Sequence, residues 1–224
     1  MINNYSNIES LFSELDGVLE ENIDVYMIGG GVLMKYKLRS ETKDIDIIVS
    51  RNEEFEALVD AFLSLGFNKQ TPESMVYGRM ALSHILVRDD FRIDLFCKLV
   101  CGKFALSERM MERASLDVSL NKVRLLLCSL NDIFLFKSMT ERDGDLIDCQ
   151  NIATSHVLDW DAILDESVKQ SVEDHCVWIT WITSRMEELS ERGVNIPILK
   201  KMMSLSDECL QKLENEFTKG SELR

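Results

Sequence analysis

Several absences narrow the reading first. The six cysteines, at positions 97, 101, 128, 149, 176 and 209, include no C-x-x-C pair. Cys97 and Cys101 stand four apart with no second pair and no histidine nearby, so no zinc ligand set is read. Most occupy apolar surroundings such as "LLLC" and "HCVW", where cysteine behaves as a small hydrophobe, and the expectation is a reduced cytoplasmic protein. No secretory leader is read at the N-terminus, and no apolar run approaches the roughly 20 residues of a membrane span. Internal repeats and low-complexity tracts are also missing. Positive charge is scarce: 25 Lys and Arg stand against 39 Asp and Glu, a formal net charge of −14. That argues against non-specific binding of long duplex DNA, which needs many cationic contacts with phosphate. A nucleotide, or a nucleic-acid end held at a local basic patch, stays admissible.

Such a patch is present. Lys35, Lys37, Arg39 and Lys43 lie close together against the single acid Glu41. What surrounds this patch carries the chemistry. "VYMI" reads as a short buried strand that breaks on Gly29-Gly30-Gly31 and leads through a short helix, "GVLMKYKL", into the basic loop. "DIDIIV" (44–49) then reads as a second strand, in which Asp44 and Asp46 share one face. Like charges that close are unfavourable unless a cation or a proton lies between them. A third carboxylate, Asp94, lies within "FRIDLF" (91–96), where Arg92, Asp94 and Phe96 share one face of a strand and Phe91, Ile93 and Leu95 the other. Glycines let backbone approach phosphate oxygens, and three converging carboxylates can hold two Mg²⁺ ions. The reading requires that the trio meet at one point, with no lysine or arginine bridging the gap.

Elsewhere, residues 7–19 and 52–66 read as amphipathic helices, the first capped by Ser6 or Asn7 and the second closed by Gly66. The stretch 67–78 is polar and turn-like, and Asp89-Asp90 suits a hairpin turn between strands 79–88 and 91–96. A short helix over "LSERMMERA" precedes a strand pair, "LDVSL" and "VRLLLC". From about residue 129 the periodicity is helical throughout, and Pro197 is placed in the first turn of the last helix. The order is thus an α/β half over 1–128 and an all-helical half over 129–224. His84, His156 and His175 are read as structural, and Trp160, Trp178 and Trp181 as helix-packing residues. The terminal stripe Ile196, Leu199, Met203, Leu210, Leu213 and Phe217 either packs within the chain or forms the seam of a homodimer.

The wording "YMIGGGVL", "R-S-E-T-K-D-I-D-I" and "RIDLF" resembles the polymerase-β-like nucleotidyltransferase superfamily, in particular its small prokaryotic branch of minimal and abortive-infection toxin nucleotidyltransferases. Arg39, Thr42, Asp44 and Asp46 match that branch's "R-x-x-T/S-x-D-x-D". "FKSMTERDGDLIDC" is similar to a "K-x-x-x-x-R-x-x-D-x-x-D" helix found after the catalytic domain, filled here by Lys137, Arg142, Asp145 and Asp148, with Gly144 where a basic residue often stands. The resemblance spans about residues 23–150. It implies an α+β nucleotidyltransferase fold, a small mixed sheet flanked by helices, followed by a helical half. It also implies transfer of a nucleoside monophosphate from an NTP to an acceptor hydroxyl, with Mg²⁺ as cofactor. Asp44, Asp46 and Asp94 would hold metal, and Gly29 and Gly30 would receive phosphates. Arg39, Thr42 and Lys137 could touch them. Arg142, Asp145 and Asp148 would knit the two halves together. The acceptor would be a tRNA 3′ end, a partner-protein side chain or a small molecule, in a toxin-antitoxin or defence setting. The rival expectation is a catalytically idle protein on this fold that binds a partner through its helical half.

Overall fold

The computed structural model describes residues 1–70, 83–100, 104–173 and 177–221. They form two compact units, residues 1–129 and 130–224. His175, Cys101 and Cys176, and the first part of the expected strand 79–88, lie outside the described residues.

In the first unit the chain runs α1 (Tyr5–Asp16), β1 (Ile23–Ile28), α2 (Gly29–Lys35), β2 (Ile45–Val49), α3 (Asn52–Ser64), β3 (Asn68–Gln70), β4 (Ser83–Arg88), β5 (Phe91–Cys97), β6 (Leu99–Val100), β7 (Phe104–Ala105), α4 (Glu108–Arg113), β8 (Ser115–Ser119) and β9 (Val123–Leu127). Seven strands make one mixed sheet in the order β3-β4-β5-β2-β1-β9-β8. The pairs β1–β9 and β2–β5 are parallel, and the others antiparallel. The central strands bury one face fully and most of the other, which opens at Asp46, Arg92 and Asp94. Val25, Met27, Ile45, Ile47, Ile48, Val49, Ile93, Leu95 and Leu125 are fully buried, as expected of strands covered on both sides. α1 lies against β9, and α3 against β2 and β5.

Local chemistry explains most boundaries and corrects some expectations. α1 begins at Tyr5, because Asn4 is extended and its Oδ1 accepts the Ser6 amide hydrogen bond at 3.0 Å, so the cap stands two or three residues before the one expected at Ser6 or Asn7. α3 opens with Glu54 reaching back to the Arg51 amide at 3.1 Å, and it closes on Gly66 at φ +84°. Asn68–Gln70 is not a turn but an edge strand on β4, since its backbone finds hydrogen-bond partners there despite three exposed polar side chains. The small β6–β7 pair was not foreseen, because two-residue strands leave no periodicity.

The second unit holds α5 (Leu130–Ser138), α6 (Asp143–Ser155), α7 (Trp160–Glu173), α8 (Val177–Glu191) and α9 (Leu199–Ser221). α5 packs against α6, α7 and α8, and α8 against α7 and α9. Every residue from Asp132 to Ser138 is buried, the mark of a helix surrounded by others. Pro197 lies in a turn before α9 rather than in its first turn. Trp160 packs edge-on against Phe134 with centroids 5.5 Å apart, and Trp181 Nε1 donates to the Ser138 carbonyl at 3.0 Å. Cys97, Cys128, Cys149 and Cys209 are buried thiols. Burial pushes the Cys149 thiol up to about 12. Among the described residues no helix is long and apolar enough to cross a membrane.

Candidate functional site

The sheet ladder itself assembles the acids. In the parallel β2–β5 pair, Asp46 stands opposite Asp94, and in the antiparallel β1–β2 pair Asp46 stands opposite Ile28, the residue before Gly29. Asp44 lies two residues before Asp46 on the same face. The result is one cluster: Asp44, Asp46 and Asp94 each offer an oxygen, and these oxygens all fall within 4.8 Å of one another. All three carboxylates are half-buried. Hard oxygen donors at this spacing suit a small divalent cation such as Mg²⁺.

Gly29 and Gly30 are the first residues of α2 rather than a turn ahead of it, and no side chain caps their end of the helix. Gly29 has φ +66°, and a Cβ there would fall 2.0 Å from Asp46 Oδ2. The Asp46 carboxylate therefore lies directly over the start of α2. At Gly30 a Cβ would meet Thr42 Oγ1 at 2.3 Å and Arg39 Nη1 at 3.2 Å. Thus Arg39 and Thr42, which the sequence could only place nearby, both press on the second glycine. Gly31 differs, since its Cβ would meet the Met27 thioether at 2.6 Å on the core side.

Thr42 is buried and doubly anchored. Its hydroxyl donates to the Asp44 carbonyl at 3.0 Å, and its backbone exchanges two 2.9 Å hydrogen bonds with Ile2. Ile2 was not singled out in the sequence, because a lone bridge between residues forty apart has no local signature.

Arg92 also went unassigned. Its Nε and Nη2 donate to Asp94 Oδ1 and Oδ2 at 2.8 and 3.0 Å, a bidentate clasp from two residues earlier on β5. The condition that no basic side chain enter the trio is therefore met only in part. An arginine holds one member, yet the three oxygens keep a separation that a cation could bridge with little movement.

Lys137 is in a different environment. In α5 it is buried, with Nζ 2.8 Å from Asp145 Oδ1 and 2.6 Å from Asp148 Oδ2 of α6. Arg142 Nε and the Thr140 hydroxyl each add a 2.6 Å hydrogen bond to Asp145. Burial alone would push the Lys137 ammonium down, but the two aspartates outweigh it and hold the group above its ordinary value. Asp145 is held below the usual carboxylate range, the Lys137 charge overcoming the cost of burial. An ammonium already committed to two carboxylates fits an ion pair that fastens α5 to α6 better than an open phosphate ligand.

A further cluster fixes the far end of α2. Lys35 Nζ lies 2.6 Å from Asp117 Oδ1 and 3.3 Å from Glu9 Oε1, while the Tyr5 hydroxyl donates to Asp117 Oδ2 at 2.7 Å. These ties join α1, α2 and β8, so the glycine end of α2 is set by contacts at both ends of the helix.

The chain has counterparts among known proteins. A family model described as "Nucleotidyltransferase of unknown function (DUF6036)" matches residues 6–181. Among solved structures, ANT(2″)-Ia in complex with adenylyl-2″-tobramycin is similar at TM-score 0.50 and 12% identity, over 75% of this chain and 97% of that one. Two candidate nucleotidyltransferases are more distant: one from Thermotoga maritima (TM-score 0.41, 16% identity, 60% of this chain and 83% of that one) and one from H. pylori (0.40, 12%, 96% and 98%). The likeness to ANT(2″)-Ia bears on fold alone. No curated protein matches the sequence.

Proposed function

Since the chain belongs to the DUF6036 family of nucleotidyltransferases, we propose that it transfers a nucleoside monophosphate from an NTP to an acceptor hydroxyl with Mg²⁺ held by Asp44, Asp46 and Asp94. The observation that supports this most is the convergence of the three carboxylates, with that of Asp46 directly over the first glycine of α2. When bound, the metal supplies Lewis-acid charge neutralisation on the phosphates. The chain's own residues do the rest. Gly29 and Gly30 present backbone to the β- and γ-phosphates at a position where any side chain would collide with Asp46 or Thr42. Arg39, exposed and beside Gly30, supplies a planar cation for the same phosphates. Asp94 accepts the proton of the attacking hydroxyl. The acceptor oxygen bonds to the α-phosphorus, the bond from that phosphorus to the β-bridging oxygen breaks, and pyrophosphate leaves.

Three acceptor classes fit this chemistry: an RNA 3′ end, a partner-protein side chain and a small molecule. The formal net charge of −14 favours a neutral or cationic acceptor over a polyanion. The similar fold seen with an adenylylated aminoglycoside makes a small cationic acceptor a concrete member of that class. A toxin-antitoxin setting is compatible with a protein acceptor.

The test is to incubate the protein with Mg²⁺, each labelled NTP, total cell RNA and protein, and a panel of amino-sugars. Label should reach one acceptor class, and Asp44→Ala/Asp46→Ala should reduce it by at least 10³-fold, as expected for loss of a metal site of this kind. If no acceptor is labelled and calorimetry finds no Mg²⁺-dependent nucleotide binding, the idle interaction protein becomes the better reading.

A further inference from the structure

The proposed metal site has a charge problem that the fold has already answered. Three carboxylate oxygens lie within 4.8 Å of one another, a local charge of about −3 in half-buried surroundings. Arg92 clasps one of them, Asp94, through both oxygens at 2.8 and 3.0 Å. The Asp94 side chain is 13% exposed and that of Arg92 34%, so the pair is partly shielded from water. In register, Arg92 precedes Ile93 as Asp44 precedes Ile45, and Ile93 and Ile45 are cross-strand partners. Arg92 thus stands level with Asp44 as well, two residues along the ladder from the facing pair Asp46 and Asp94.

We propose that Arg92 is a positioning residue and built-in counter-ion of the metal site: it holds Asp94 before the cation arrives and weakens cation binding until the nucleotide binds. This rests on the metal reading above. A carboxylate has room for about four hydrogen bonds or ligand contacts, so Asp94 can keep an Arg92 N–H while turning another lone pair to a cation. While Arg92 is present, an incoming divalent ion meets a site whose charge is offset and whose third ligand is shared. A triphosphate brings several negative charges of its own and restores the attraction. Cation and nucleotide then bind together rather than in isolation, and the charge of Arg92 sets how strongly they are coupled.

The test compares Arg92→Gln, Arg92→Lys and the unchanged chain for Mn²⁺ affinity by calorimetry, with and without a non-hydrolysable NTP analogue. Arg92→Gln should bind Mn²⁺ alone on the order of tenfold more tightly, the effect of removing one charge at short range in a partly exposed site. Arg92→Lys, which keeps the charge, should bind as the unchanged chain does. The gain in Mn²⁺ affinity brought by the analogue should shrink in Arg92→Gln. Mn²⁺ affinity that is equal or weaker in Arg92→Gln, while the unchanged chain binds the ion, overturns the counter-ion role and leaves the metal site standing. If none of the three proteins binds Mn²⁺, with or without analogue, the metal reading fails and this inference with it. Should Arg92→Gln not fold, the Arg92 Nε–H resonance of the unchanged chain, identified by its absence in Arg92→Lys, decides the matter. A shift at saturating Mg²⁺ supports the proposal, and no shift overturns it.

Discussion

At Gly29 two constraints coincide. The backbone sits at φ +66°, and the place a Cβ would occupy is taken by Asp46 Oδ2 at 2.0 Å. Gly29→Ala must both strain the backbone and push a candidate metal ligand aside. It should destabilise the protein by about 1–3 kcal/mol in denaturant unfolding and abolish label transfer even where the variant is folded. Gly31→Ala is the control: its collision is with a flexible thioether in the core, so its stability cost should leave transfer largely intact. The sequence already set Gly29 and Gly30 apart from Gly31 as the phosphate-facing pair, and the structure adds what each one faces. In the same way, Arg92 was visible only as one of three residues on a strand face. Nothing in "FRIDLF" says that its guanidinium folds back on Asp94 rather than out to solvent.

Among the elements, α2 shows how much of the site could be read and where the reading stopped. Strand, glycines, short helix, basic loop and acidic strand are all legible in order, because each has a local cause. The end of α2 is less so. Lys37 takes the left-handed conformation at φ 59°, and the Leu38 and Lys37 amides bond the Leu33 and Met34 carbonyls at 2.8 and 3.0 Å. That is a glycine-type helix end occupied by lysine. Lys37→Gly should raise stability by about 1 kcal/mol by relieving the left-handed strain, measured as a shift in the urea midpoint at unchanged slope. The ties of Lys35 and Tyr5 to Asp117 were illegible because their partners lie some eighty and more residues away along the chain.

The α5–α6 junction carries its own pH signature. Asp145 titrates below its ordinary value of 3.8, so its contribution is complete above the usual carboxylate range and is lost as pH falls through the depressed value. Lys137 titrates above 10.5, so its contribution is complete below that value and is lost as pH rises through the elevated one. Thermal unfolding should therefore show a plateau between about pH 5 and 10, with a fall on each side. Lys137→Met, which removes the buried ammonium shared by Asp145 and Asp148 while Asp145 keeps Arg142 and Thr140, should lower stability by about 3–5 kcal/mol at pH 7 and make the melting temperature rise, rather than fall, as pH drops toward the point where those acids protonate.

Over the whole molecule, the change from mixed sheet to continuous helix was legible because the hydrophobic period changes, whereas the seven-strand order was not, since β5 inserts beside β2 and β9 returns beside β1 across long stretches of chain. That order has a consequence for how such a protein can diversify. Asp46 and Asp94 face each other because two hydrogen-bonded ladders fix their level, and slipping either strand by one residue would turn its acid to the opposite face of the sheet. The geometry of the proposed metal site is thus carried by strands hydrogen-bonded to a neighbour on each side. Outer loops could be lengthened, shortened or exchanged to suit new recipients without retuning the acids, which makes this architecture a natural starting frame for redirecting nucleotide transfer by loop grafting.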